Sequence, residues 1–169
     1  HVDIDACVAA AVKYPDLIRM LAVNVSHHAC GHTDPREVLR RGLIASEQSG
    51  LPLLFGMRRP GDWPLEEQLS QLRSGDVVTY CFRREPHCII KHGRVLPCVL
   101  EARQRGVLFD VGHGMGSFSF EVAEAAIGAG FLPDTISTDL QNGHTGQSPH
   151  HDLPLVMSKL SAAGMNDTD

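Results

Sequence analysis

Apolar and polar stretches alternate along this chain at a spacing of about 25–30 residues, the size of one strand-plus-helix unit. Five short apolar runs stand out, at residues 21–25, 51–55, 77–82, 107–111 and 135–138. Each is bounded by turn residues and is too short for a buried helix. Strands covered on both faces have this character, because neither face needs polar positions. The segments between them carry helix punctuation. Asp34-Pro35-Arg36-Glu37 offers a capping aspartate, a proline at the first helical position and an acidic first turn. Pro64-Leu65-Glu66-Glu67 opens the next helix in the same way. Gly50, Gly75, Gly106 and Gly130 each stand between a helical run and the strand that follows, where a helix-ending glycine belongs. Ser119 or Ser117 is placed to cap a helix over 120–128, and residues 5–14 and 155–163 read as flanking helices.

Alternating strands and helices predict an α/β fold with a mostly parallel sheet. About five such units fit either an open doubly wound sheet or part of an eight-stranded barrel. No linker, low-complexity stretch or sequence repeat divides residues 1–169, so one domain is expected. The composition, 43% hydrophobic and 21% charged, suffices for an ordinary globular core. A net charge of −5 and the lack of a basic run argue against nucleic acid as a partner. No apolar run approaches the roughly 20 residues that span a bilayer, so no membrane association is expected. No leader peptide is read at the start. The five cysteines form no CxxC pair, which predicts reduced thiols and a cytoplasmic protein. The chain opens at His1 inside a helical pattern and closes in a polar tail, as a piece of a longer protein would.

In parallel α/β folds, chemistry collects at the carboxyl ends of the strands, where loops vary while the sheet stays rigid. Here the first strand leads to Asn24, Ser26, His27, His28, Cys30 and His32. The second leads to Gly56, Met57, Arg58 and Arg59, and the third ends in Tyr80-Cys81-Phe82-Arg83-Arg84. The fourth leads to Gly112-His113-Gly114, and the fifth delivers Asp139, followed by Asn142 and His144. Imidazole and thiolate suit zinc, but His27, His28, Cys30 and His32 match no known zinc spacing, and a polar capping loop explains them as well. Asp139 is the strongest candidate. A carboxylate directly after an apolar strand loses solvation unless a cation or donors compensate; its alternative is a cap for the following turn. His113, between two glycines, can approach a ligand closely or simply fill a turn. Arg58, Arg59, Arg83 and Arg84 have the fork geometry that binds carboxylates, though exposed arginines commonly bind nothing specific. Tyr80, Cys81 and Cys98 also read as core residues.

DVVTYCF, GVLFDVGHGMGSFSFEVAEAAI, DTISTDL and DLPLVMSKL together resemble the amidohydrolase superfamily, in its amidohydrolase/deacetylase, dihydroorotase-like branch. The resemblance covers most of the chain and is strongest over residues 75–165. It implies a (β/α)8 TIM barrel, present here as its later part with about five βα units. It also implies hydrolysis of a C–N amide or ester bond of a small molecule by metal-activated water, with one or two divalent ions, usually zinc, at the barrel mouth. By resemblance Asp139 holds metal and water and moves a proton to the leaving group. By resemblance His113 lines the substrate pocket; Gly114, Arg58 and Tyr80 are further candidates for substrate contact, and His28, Cys81 or Tyr80 for a metal bound beside Asp139 in place of the usual ligands. Three positions depart from the family pattern. The bridging lysine expected in the first strand is absent, where LAVNVSHH offers only Asn24, Ser26 and the histidines; Gly56 stands where a strand ends in histidine, and Tyr80 where the third strand carries histidine.

Those departures motivate a second expectation: a metal-free, non-catalytic barrel relative that binds a small acidic ligand. VLFDVGHGMGS also resembles the glycine-rich loop of S-adenosylmethionine-dependent methyltransferases, a third reading. The expected partner throughout is a small molecule. A partial barrel by itself is expected to be inactive, and its unpaired strand edges invite association with a second copy.

Overall fold

The computed structural model describes residues 2–59, 61–146 and 148–166. Four strands, β1 (Leu21–Asn24), β2 (Leu53–Gly56), β3 (Val77–Thr79) and β6 (Leu108–Phe109), form one parallel sheet in that order. Residues 135–138 continue it beside β6. Asp110 bridges Thr135 in parallel, and the amides of Val111, His113 and Gly114 donate to the carbonyls of Thr135, Ser137 and Thr138 at 3.1, 3.0 and 2.9 Å. Every strand therefore lies next to its predecessor. A doubly wound sheet reverses its strand order at one point; this sheet does not, and it is an arc of a (β/α)8 barrel. The same order removes the methyltransferase topology.

The helices follow the predicted punctuation. They are α1 (Ile4–Lys13), α3 (Pro35–Ser49), α4 (Leu65–Ser70), α5 (Pro97–Gln104), α6 (Phe120–Gly128) and α7 (Leu153–Ala162). The carboxylates of Asp3, Asp34 and Asp152 accept amide hydrogens from Ala6, Arg36 and Leu155 at 3.0, 2.9 and 3.0 Å, each occupying one orphan donor of a first turn. Neither serine before α6 caps it in this way. The Ser119 hydroxyl accepts from Arg84 Nε at 3.0 Å, and that of Ser117 accepts from Arg59 at 2.7 Å.

Three elements were not expected. A single helical turn, α2 (His27–Cys30), replaces the polar loop after β1. A hairpin of β4 (Ile90–Lys91) and β5 (Arg94–Val95) turns at His92-Gly93, both with positive φ, as two-residue hairpin turns require. Strands of two residues leave no alternation to read in the sequence. A 3-10 turn, Asn142–His144, follows Asp139. The third strand also stops at Thr79 rather than running to 82, because Tyr80 takes a φ of 71°.

The two faces of the sheet differ. Val23 faces α3 so closely that a Cβ on Gly42 would lie 2.5 Å from Val23 Cγ1. Leu53, Phe55, Val78, Phe109 and Val111 are fully buried in the apolar core. On the other face, register aligns Asn24 with Gly56, Gly56 with Thr79, and Asp110 with Thr135. The Asp110 carboxylate accepts hydroxyl hydrogens from Thr79, Thr135 and Ser137 at 2.7, 2.9 and 2.6 Å. This buried acid cross-links three neighbouring strands beneath their carboxyl ends. At the opposite end of the sheet, buried Asp76 accepts from the Leu53 amide and from the Arg73 amide, both at 2.9 Å. The sheet is thus tied by a carboxylate near each end.

Candidate active site

Above that polar row lies a cavity of about 450 Å³. Asn24, Ser26, His28, Arg59, Tyr80, Arg83, Ser117, Asp139 and His144 contribute its polar lining. Asn24 Oδ1 accepts from the Ser26 amide at 2.9 Å, and the Asn24 side chain also bonds the Tyr80 hydroxyl. Gly56 matters here by lacking a side chain: a Cβ would lie 3.0 Å from Asn24 Cγ. Burial raises the Tyr80 phenol above its ordinary value, the Asp139 charge raises it further, and Arg59 and Arg83 pull it back. Tyr80 is therefore a neutral hydrogen-bonding phenol at physiological pH, not a phenolate.

In the Gly112-His113-Gly114 turn the backbone leaves the extended conformation at Gly112 and Gly114, and the side-chain direction of each glycine points at residues beneath or beside the cavity. Both have positive φ, 49° and 46°, and neither tolerates a side chain. A Cβ on Gly112 would collide with Thr79 and Tyr80, and one on Gly114 would lie 2.9 Å from Asp139 Oδ2. The Asp139 carboxylate thus rests against the Gly114 backbone, with no hydrogen-bond donor to it among the described residues. Asp139 itself has a φ of 48°, uncommon for a residue with a side chain.

His113 is buried outside the cavity lining, stacks on Phe118 at 5.3 Å, and its Nε2 lies 2.8 Å from Lys159 Nζ of α7. Lysine only donates, so Nε2 accepts and the ring proton sits on Nδ1. Burial above all, then the Lys159 and His151 charges, pushes His113 down to about 4.

Two more sequence candidates lie elsewhere. Arg58, expected to bind substrate, folds back on its own loop. It pairs with Asp62 at 2.8 and 2.9 Å and donates to the Val25 carbonyl at 3.0 Å. Cys81, expected as a ligand, is fully buried in the apolar core, where desolvation holds the thiol well above its ordinary value. The structure therefore gathers Asp139, His28, Tyr80 and the Gly114 backbone, and leaves out His113, Arg58 and Cys81. It also brings in Asn24, Arg59, Arg83 and His144 from the strand ends, and adds Ser117. The arginine pairs were visible in the sequence, but only the loop geometry distinguishes Arg59 from Arg58.

Over 165 residues the chain is 35% identical to a deacetylase of Agrobacterium fabrum, a match covering 97% of this chain and 40% of that protein. It is 31% identical over 161 residues to a deacetylase of Enterococcus faecalis, covering 92% and 42%. Among solved structures it superposes on an adenine deaminase with a TM-score of 0.89 and 27% identity, over 99% of this chain and 46% of that one. On a dihydroorotase the TM-score is 0.84 with 33% identity, over 98% and 43%. The chain belongs to the amidohydrolase superfamily. No family model matches it. This amidohydrolase chain spans less than half the length of the curated relatives it matches.

Metals are typical of the superfamily, so the donor set must be tested. Of the cavity-lining side chains only His28, His144 and Asp139 are of ligand type, and no group of three His, Cys, Asp or Glu capable of holding a metal occurs among the described residues. The described residues of this amidohydrolase chain do not assemble a metal centre. No helix among them is long and apolar enough to cross a membrane.

Proposed function

We propose that the protein carrying this chain hydrolyses a C–N amide bond of a small molecule, with Asp139 as the carboxylate that moves the proton. The observation behind this reading is the placement of Asp139: directly after residues 135–138, which extend the sheet beside β6, in the cavity, with a positive φ and no donor to its carboxylate among the described residues. Such a group is free to take a proton from an attacking water and deliver it to a departing nitrogen. The relatives named deacetylases support the reaction class. Because the donor set falls short of a metal centre, no step is routed through an ion. The test is release of acetate from N-acetyl compounds by the full-length protein, before and after chelation, with Asp139→Asn alongside. Turnover that the substitution abolishes supports the proposal, and its survival after chelation supports a metal-independent route. A folded protein that turns over no acyl amide overturns the proposal and leaves the ligand-binding reading, which the Asn24, Gly56 and Tyr80 positions favour.

A further inference from the structure

We infer that Arg83, seconded by Arg59, forms an anion subsite in this cavity, and that the molecule bound there carries a carboxylate or phosphate. The inference rests on reading the cavity as the active site of an amide hydrolase.

Arg83 is 2% exposed. Its Nη2 donates to the Arg58 carbonyl at 2.6 Å, while Nε and Nη1 are buried with no partner among the described residues. A buried cation without a counter-charge is costly, and buried polar hydrogens without acceptors are rare. Other arginines in this chain are answered: Arg58 by Asp62, Arg73 by Asp76 and Arg103 by Asp134. No carboxylate pairs with Arg83 among the described residues. A second guanidinium, Arg59, reaches the same cavity, with Ser117 accepting from it. Burial, and after it the charge of Arg59, lowers Arg83 to about 10, which still leaves it charged at neutral pH. Two guanidinium groups that pair with no carboxylate among the described residues attract an oxygen anion to this cavity, and guanidinium donors suit carboxylate and phosphate alike. Tyr80 lies within electrostatic reach of both arginines and of Asp139. A small acid therefore meets attraction at the arginines and repulsion at Asp139, which orients it with its uncharged, scissile part toward the carboxylate.

The test is calorimetric titration of the full-length protein with N-acetylglycine, its neutral amide N-acetylglycinamide, and inorganic phosphate. N-acetylglycine is expected to bind at least about tenfold more tightly than the amide, and more weakly as salt rises. Arg83→Gln should lose about tenfold or more for the anion and nothing for the amide, with a smaller loss for Arg59→Gln. Arg83→Lys, which keeps a buried cation, should recover part of the affinity. Should Arg83→Gln fail to fold, the anion–amide comparison and Arg59→Gln decide. Phosphate that displaces N-acetylglycine assigns the subsite to phosphate-bearing molecules, and phosphate that does not assigns it to carboxylates. Equal affinity for anion and amide, unchanged anion binding in folded Arg83→Gln, or binding of none of the three probes overturns the inference. Titration does not depend on turnover. Anion binding without hydrolysis sinks only the hydrolase reading, and hydrolysis indifferent to the acid group sinks only the subsite.

Discussion

Acidification should cost this fold stability through one residue, His113. The unfolded chain takes up the imidazole proton near 6.5, whereas the folded chain resists it until about 4. The folded-state value is depressed, so the favoured form is the neutral ring. Its contribution is fully present above 6.5, falls as pH drops from 6.5 to 4, and is exhausted below that. Across this interval each pH unit is worth about 1.4 kcal/mol, so the total loss is about 3 kcal/mol. The cause is local: a protonated ring would sit buried with Lys159 Nζ 2.8 Å away and His151 5.7 Å from ring to ring. Urea unfolding of the full-length protein between pH 4 and 8, followed by fluorescence of buried Trp63, measures the slope. His113→Gln keeps an acceptor for Lys159 but cannot titrate, and should flatten the curve by about 3 kcal/mol between pH 7 and 4. A variant whose stability falls with pH as steeply as the parent's would refute the assignment.

Gly114→Ala should cost about 1–3 kcal/mol from its left-handed backbone and reduce turnover further by displacing the Asp139 carboxylate, so that activity at saturating substrate falls in protein that is still folded. Replacing Asp110 by leucine strands three hydroxyls and should destabilise by about 3 kcal/mol or more, whereas asparagine, which still accepts, should cost less; thermal melting distinguishes the two. Arg58→Ala should lower the melting temperature, by the equivalent of about 1–2 kcal/mol, through loss of the bond to Val25, and leave affinity for small acids unchanged, the reverse of the pattern at Arg83.

Strand and helix positions were legible because each depends on local signals. An apolar run hidden on both faces, a capping aspartate before proline, and a glycine before a strand act within a few residues of themselves. The position of Asp139 beside the cavity follows from the same local signals, since it directly succeeds the segment that extends the sheet beside β6. Facing directions were not. His113 lies between two glycines at a strand end and draws attention in the sequence, yet the left-handed backbone at Gly112 and Gly114 sends the imidazole to α7. Arg58 and Arg59 are adjacent, and the pair with Asp62 holds Arg58 back while Arg59 reaches the cavity. The third strand stops at Thr79 because Tyr80 adopts a positive φ, and that turn brings its phenol to Asn24 and Asp139. Partners far apart in sequence are also invisible to periodicity. The hydroxyls that hold Asp110 come from positions 79, 135 and 137, and Lys159 meets His113 across 46 residues. Local chemistry therefore set the elements and their order, while parallel register, which places distant side chains in one row, decided which residues meet in the cavity.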